Sequence, residues 1–395
     1  MNKAPLPVCD PTKGLASRSQ APMIGAVIPS RNRYAKTARF LETFVKQTYD
    51  NLKIYVVDSN SSDATADYIG QGDDGVILLS AGDDDFWTGA TNIGVRRALA
   101  DGCEYILTIN DDSVIEEDLV ERLADVACRY DLKILASRVD HLDELGQIWS
   151  LGAYNCWGTH QLFYLRGYLQ FEDEAPELLS ENEVIETELT PGNGVLIHRS
   201  VFEKIGLYDE KWTPHYHADS EIILRAREHG FRCYVSLRTV VYNDVHNSSG
   251  NPDVINPPDV FDHIPKKLRP LFSPAEKFYR LFWHKRSDRR IPTIFHMVMR
   301  YSPPHLRLKT LFLYFGASIW LFYLNRFFPP RYTKLFKKKL AGRGFSWRGF
   351  TLGKCLRLLT YGVVLTRSVL STCVGRLRTA KEKKKTQALF LAQFK

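Results

Sequence analysis

Several things are scarce in this sequence, and each shortage excludes a class. Its seven cysteines (Cys9, Cys103, Cys128, Cys156, Cys233, Cys355, Cys373) are odd in number and form no CxxC pair. That argues against a disulfide framework or a zinc site and favours a reducing compartment. The opening MNKAPLPVCDPTKGLASRSQAP has no apolar h-region, so no secretory signal is expected and residues 1–22 read as a loose leader. The uncharged run Leu311–Leu324 has 14 residues, short of the about 20 that a spanning helix needs. Acid is scarce in the last third. Residues 266–395 hold 3 acidic against 30 basic residues, a net of +27, while residues 1–265 hold 42 against 23, a net of −19. Two such halves read as an acidic globular domain and a basic, aromatic-rich appendage.

What is present in the first 265 residues is an alternation of strands and helices. MIGAVIPS (Met23–Ser30), LKIYVVD (Leu52–Asp58), GVILLSA (Gly75–Ala81) and YILTIND (Tyr105–Asp111) read as buried strands. Helical spacing appears in Lys36–Tyr49, Ala64–Ile69 and Thr91–Gly102. This βαβ rhythm predicts an α/β domain with a parallel sheet covered by helices. In such sheets ligands bind beyond the C-terminal strand ends. Those ends carry Arg31–Asn32–Arg33, Asp58–Ser59–Asn60, Asp83–Asp84–Asp85 and Asn110–Asp111–Asp112. One such cluster is ordinary turn chemistry, but four on successive strands predict a site. Adjacent carboxylates at a strand end suit a hard divalent ion, Mg²⁺ or Mn²⁺, bridging to phosphate oxygens. From that stretch alone, Asp112 reads equally well as the N-cap of a following helix.

The stretches VIPSRNR (Val27–Arg33), VVDSNSSD (Val56–Asp63), WTGATNIGVRRAL (Trp87–Leu99) and LTINDD (Leu107–Asp112) resemble, in order and spacing, the family 2 glycosyltransferases. The segment Thr190–Gly230 resembles their second block, with R-x-x-F-x-x-I-G-x-[FY]-D-E ahead of an acid loop. The likeness covers about Met23 to Ser249 and is nearest to bacterial rhamnosyl- and galactofuranosyltransferase-like members. It implies a GT-A nucleotide-diphospho-sugar transferase fold, mainly parallel with helices on both faces, and inverting, metal-dependent sugar transfer. It also implies roles for particular residues. Asp58 would contact the base or ribose of the donor, and Arg31 or Arg33 the diphosphate. Pro29, Asn60, Asp85, Trp87, Asn92, Asn110 and Asp111 would complete the nucleotide-sugar site. Asp112 matches the metal-binding acid of the D-x-D motif, whose first acid is here Asn110. Asp219 matches the general base, although the glutamate that precedes it in the family is here Ala218. His246 matches a histidine that some relatives use as a further metal ligand.

An inverting transfer needs one carboxylate to take the acceptor's proton, and Asp219 is read as that base in preference to a helix N-cap. Glu221 is expected to orient a substrate hydroxyl or to cap the helix, with Trp212, His217 and His215 on the acceptor side. Gly192–Asn193–Gly194 lets backbone approach the donor sugar or forms a plain turn. Trp149–Glu188 breaks the βα rhythm and reads as an inserted loop over the site.

From Lys266 onward, basic and apolar or aromatic residues alternate around Leu311–Leu324 and Cys355–Val374. This suits helices lying in a membrane interface against anionic lipids, and it suits nucleic acid less well. The sequence therefore predicts three parts: leader 1–22, GT-A catalytic domain 23–265, and a basic amphipathic membrane-associating helical region 266–395. The expected protein is a peripheral glycosyltransferase on the cytoplasmic membrane face. It would use a UDP- or dTDP-sugar to extend a lipid-linked or polysaccharide acceptor in surface glycan assembly, such as lipopolysaccharide O-antigen, and would be open to homo-oligomer formation. Two alternatives stand beside it: an inactive nucleotide-sugar-binding subunit, and a same-fold transferase with a soluble or protein acceptor.

Overall fold

The computed structural model describes residues 21–70, 75–144, 146–172, 183–243 and 278–327, with side chains through residue 319. Among these residues, the strands are β1 (Ile24–Ser30), β2 (Leu52–Asp58), β3 (Val76–Ser80), β4 (Tyr105–Thr108), β5 (Ser113–Val114), β6 (Ile134–His141), β7 (Ile148–Ser150), β8 (Ala153–Asn155), β9 (Phe163–Leu165), β10 (Val184–Thr187), β11 (Val195–His198) and β12 (Cys233–Asn243). The helices are α1 (Tyr34–Phe44), α2 (Thr65–Gly70), α3 (Phe86–Ala100), α4 (Leu119–Arg129), α5 (Arg199–Ile205), α6 (Ala218–Glu228), α7 (Ile291–Tyr301) and α8 (Arg307–Phe327).

The α/β class expected from the sequence is what forms, with one difference of direction. The main sheet runs β10-β12-β6-β11-β4-β1-β2-β3, with β5 on β12 and β7 on β6. The four expected strands, β1 to β4, are mutually parallel. β11 then enters antiparallel between β4 and β6, and β10 is antiparallel on β12, so the sheet is mixed. The inserted loop also holds structure of its own, a β8–β9 hairpin.

Side-chain alternation explains the helices on both faces. Ile24, Ala26 and Ile28 of β1 and Ile54 and Val56 of β2 share one core with Phe40, Leu41 and Phe44 of α1 and Leu119 and Leu123 of α4. The intervening Val27, Tyr55 and Val57 belong to the opposite core with Ala90, Val95 and Ala98 of α3 and Ile222 and Ile223 of α6. The α3–sheet contact is close because Gly94 has no side chain, and a Cβ there would fall 2.4 Å from Val27. Ile294, Met297 and Val298 of α7 join this second core. The described residues up to Arg326 accordingly form one compact unit, and Phe327–Lys395 form a second. Within the described residues no helix is long and apolar enough to cross a membrane. His246, the Cys355–Val374 stretch and the C-terminal tail lie outside the described residues.

Candidate functional site

Register brings the polar strand ends level. Ser30 of β1 is paired with Asp58 of β2, and Asp58 with Ser80 of β3, so the chain leaves three neighbouring strands along one edge. Pro29 is the last-but-one residue of β1, opposite Val57. Asp58 is buried and accepts hydrogen bonds from the Ser61 N–H at 2.9 Å and from the Ser61 hydroxyl. Beyond it, Asp83 accepts from Arg31 at 2.6 Å and from the Asn60 amide at 3.1 Å, and both hold the Asp83 carboxyl below its usual range. Asp85 accepts from the Gly82 N–H at 2.6 Å. One of the two strand-end arginines, with an Asn and two Asp, thus forms a hydrogen-bonded rim at the β2–β3 end.

The second arginine turns to the β4 end. Arg33 donates to Asp111 at 3.0 Å and to Asp112 at 2.9 Å, and Asp111 also accepts from Thr37 at 3.0 Å. The helix following β4 begins only at Leu119, with Asp118 at its N-cap position, so Asp112 does not cap it. Instead, Asp112 Oδ1 is buried without a hydrogen-bond partner. Burial raises the Asp112 carboxyl above its usual range, Arg33 pulling it back and the Asp111 charge adding to the rise. A buried carboxylate oxygen with no donor is costly, and a hard divalent cation is the kind of ligand that satisfies it. The donor set therefore fits Mg²⁺ or Mn²⁺ at Asp112, with Asp111 engaged by Arg33 and Thr37.

Gly192, Asn193 and Gly194 lead directly into β11. Because β11 is antiparallel, its start lies at the edge where β4 ends. Asn193 accepts from the Asn110 N–H at 3.0 Å and donates to the Ser113 hydroxyl at 2.9 Å, tying this loop to the acidic strand end. Gly194 has φ +75 and its Cβ would meet Val241 at 2.7 Å, which leaves glycine as the residue that fits. Gly192 donates its N–H to Asp219 at 2.9 Å, and a Cβ there would stand 2.9 Å from the Asp219 Cβ and 3.3 Å from the Trp87 ring. Trp87 in turn reaches Asn110 with its indole N–H at 3.4 Å. One indole ring therefore touches Asn110 at the β4 end and borders Gly192, the residue that binds Asp219.

Asp219 lies inside the first turn of α6, while His217 occupies the N-cap position in the left-handed region. Its carboxylate accepts the Gly192 and Ser220 N–H groups at 2.9 and 2.7 Å. These two donors hold it beside the glycine loop, as a positioned base requires.

Other residues chosen from sequence are placed in the packing. Asn92 is buried and its amide clasps Tyr208 and Glu210, donating at 2.9 and 2.6 Å and accepting the Tyr208 N–H at 3.0 Å. Glu221 is 1% exposed. It pairs with Arg225 at 2.8 Å and accepts the Tyr301 hydroxyl at 2.5 Å, so it fastens α6 to α7. Trp212 stacks on His296 with ring centroids 5.1 Å apart and accepts from Thr293 at 2.6 Å through its carbonyl. His217 is bound to the Asp288 carbonyl at 2.8 Å. Asp209, Glu221 and His296 do converge, with ligand atoms within 4.8 Å of one another. Both Glu221 oxygens are nonetheless already taken by Arg225 and Tyr301.

Two features of the site are not visible in the sequence: the backbone of Phe86 and the partners of His215. Phe86 opens α3 with φ 52, and His215 faces its ring edge with centroids 6.5 Å apart. Burial, with Arg286 and Arg33 nearby, pushes the His215 pKa down to about 3. The ring is therefore neutral and accepts the Trp87 N–H at 3.3 Å. A bulky residue in the left-handed region is the kind of backbone strain that collects at sites, but side-chain type alone does not disclose φ.

Residues 26–205 match the profile of Glycosyl transferase family 2. That segment, a little under half of the chain, thus matches a family 2 glycosyltransferase domain, and the α/β fold described above is GT-A-like. The match ends before Asp219, whose position rests on the geometry alone. Over 125 residues the chain is 27% identical to Glycosyltransferase GlyG of Streptococcus pneumoniae serotype 4. That alignment takes in 31% of this chain and 40% of GlyG, so it spans well under two thirds of that relative. Among solved structures, the mannosyltransferase PcManGT of Pyrobaculum calidifontis in complex with GDP-Man and Mn²⁺ is 16% identical, at a TM-score of 0.46 over 91% of this chain and 90% of that one. GalNAc-T7 with UDP, GalNAc and Mn²⁺ is 15% identical, at a TM-score of 0.47 over 57% and 44%. At these TM-scores the likenesses decide nothing about the site.

Proposed function

We propose that this transferase domain moves a sugar, with inversion, from a UDP- or dTDP-linked donor to a lipid-linked or polysaccharide acceptor in cell-surface glycan assembly. The observation that carries the reading is the Trp87 ring, which contacts Asn110 beside the Asp112 carboxylate on one side and the Gly192–Asp219 contact on the other. Donor and base are thereby brought to the same edge. Asp58 and Asn60 lie at the base and ribose end, and Arg31 and Arg33 at the diphosphate. Asp219 takes the proton of the acceptor hydroxyl as its oxygen bonds to the anomeric carbon. The bond from that carbon to the diphosphate breaks on the opposite face, and the electron pair leaves with the nucleoside diphosphate. Mg²⁺ or Mn²⁺, held by Asp112, would neutralise charge on that leaving group.

The acceptor and location rest on α8. Its inward side packs Leu311, Tyr314 and Phe315 against the core and adds polar ties: Thr310 accepts from the Gly158 N–H at 2.7 Å, Tyr314 donates to the Asp288 carbonyl at 3.2 Å, and Ser318 accepts from Arg289 at 3.0 Å. Its outward side is apolar, with Leu308 80% and Phe312 65% exposed and Ile319 beside them at helical spacing. These exposed apolar side chains, with the +27 charge of residues 266–395, support docking on an anionic membrane surface at the cytoplasmic face, without crossing it.

Thermal unfolding with UDP, dTDP and GDP, each with and without Mn²⁺, tests the donor reading. Stabilisation by one nucleotide that needs both Mn²⁺ and Asp112 is expected, and no shift with any of them at millimolar concentration sinks it. Sedimentation with anionic vesicles tests the location. Leu308→Glu with Phe312→Glu should release the protein, and unchanged binding of that variant would count against α8.

A further inference from the structure

The segment ahead of α7 has the basic composition of a membrane-directed chain, yet part of it is fastened at the start of α3. The Phe86 ring is the meeting point. Lys285 Nζ lies 5.1 Å and Arg286 Cζ 5.5 Å from its centroid, and His284 meets its edge at 6.3 Å. His284 Nδ1 accepts the Arg286 N–H at 3.1 Å, and Lys285 lies 3.9 Å from Asp84. Phe86 holds this segment from a backbone with φ 52, a strained conformation for a bulky residue that its surroundings must impose. Phe86 immediately precedes Trp87, so the fastening point is one residue from the indole that contacts Asn110.

Charge gives the segment its meaning. Arg31 is bonded to Asp83 and Arg33 to Asp111 and Asp112. Arg286 shares their electrostatic surroundings, which also include Asp83. Burial and then Arg31 lower its pKa from the usual guanidinium range, Asp83 opposes them, and Arg33 lowers it further. An anion entering this rim competes with Asp83, Asp111 and Asp112 for their guanidinium partners. A diphosphate presents such an anion, with oxygens enough for several guanidinium contacts.

We propose that Arg286, seated with Lys285 on the Phe86 ring, is a third arginine of the donor diphosphate site, supplied by chain outside the region that matches the transferase family. It rests on the donor-site reading above. Arg286 contacts the phosphate bearing the sugar and stabilises the charge that gathers there as the glycosidic bond to phosphate breaks, with Lys285 beside it. The Phe86 ring positions both.

The test compares nucleoside diphosphates with their monophosphates on the full chain. Binding of UDP, dTDP and GDP, and of UMP, dTMP and GMP, is measured by calorimetry with Mn²⁺ for wild type, Arg286→Ala and Arg286→Lys. The expected result is that Arg286→Ala weakens the preferred diphosphate about tenfold or more. The matching monophosphate should bind as before, and Arg286→Lys should restore most of the loss. Unaltered diphosphate binding overturns the proposal, and so does an equal loss for mono- and diphosphate, which is the mark of a misfolded site. If wild type binds no nucleoside diphosphate, the donor reading falls and takes this assignment with it. If wild type binds and Arg286→Ala is indifferent, only the assignment falls.

Discussion

Asp219 and Glu221 leave the first turn of α6 two residues apart, and they meet opposite fates. Asp219 is held by two backbone N–H groups beside a glycine loop and the Trp87 ring. Glu221 is closed off by a guanidinium and a phenol, and burial together with its charge keeps the Tyr301 hydroxyl protonated. One carboxylate is aimed and the other is spent. Backbone donors orient a charge without neutralising it, whereas Arg225 cancels the charge of Glu221 and uses up its lone pairs. Similar side chains on one helical turn thus divide into a carboxylate oriented by backbone and one spent on fastening, and the proposed base is the first.

The comparison breaks most sharply by removing each charge in turn. Asp219→Asn should lower turnover by about 10²- to 10⁴-fold, the usual worth of a general base, while nucleotide binding and the unfolding midpoint stay near wild type. Retained turnover would make Asp219 a mere loop anchor. Glu221→Ala should do the reverse. It leaves Arg225 without its partner and should cost about 3–5 kcal/mol in denaturant unfolding, whereas loss of activity in a fully stable variant would restore Glu221 to the acceptor side. Gly192→Ala sharpens the contrast at smaller scale. Its methyl would press on Asp219 and Trp87, and about a tenfold fall in kcat is expected, with nucleotide affinity little changed.

The smallest effect is on pH. His215 is neutral in the fold down to about pH 3 but protonates near 6.5 when unfolded. Below 6.5 the unfolded chain therefore binds the extra proton. Stability rises with pH between those values and is fully present above 6.5. At pH 5.5 this site should cost about 1 kcal/mol relative to pH 7, and His215→Asn should remove that part of the acid sensitivity. Equal slopes in both proteins would show that His215 titrates freely.

Much of this was legible beforehand because apolar alternation and polar strand ends are local signals. Ile24, Ala26 and Ile28 announce one face of β1, and the acids after β2, β3 and β4 announce the edge. What stayed hidden was partnership. Val195–His198 is an apolar run that reads the same in either direction, so nothing in it marked β11 as antiparallel. Asn92 looked like a donor contact, but its amide is engaged by Tyr208 and Glu210, more than a hundred residues later in the chain. Arg286 carried the composition of a membrane-facing stretch, and only the fold sets it against Phe86 and near Arg31.

The position of β11 also bears on how the chain reaches this state. β4 and β6 are not bonded to each other; β11 lies between them, although it is made some sixty residues after β6 begins. Until it arrives, β4 and β6 each present an unpaired edge, the kind of surface on which partly folded chains aggregate. Val195–His198 therefore bridges β4 to β6, while β12, made later still, pairs the far side of β6. Since the same four residues follow the glycine loop, the register of this strand also sets where Gly192 and Asn193 stand.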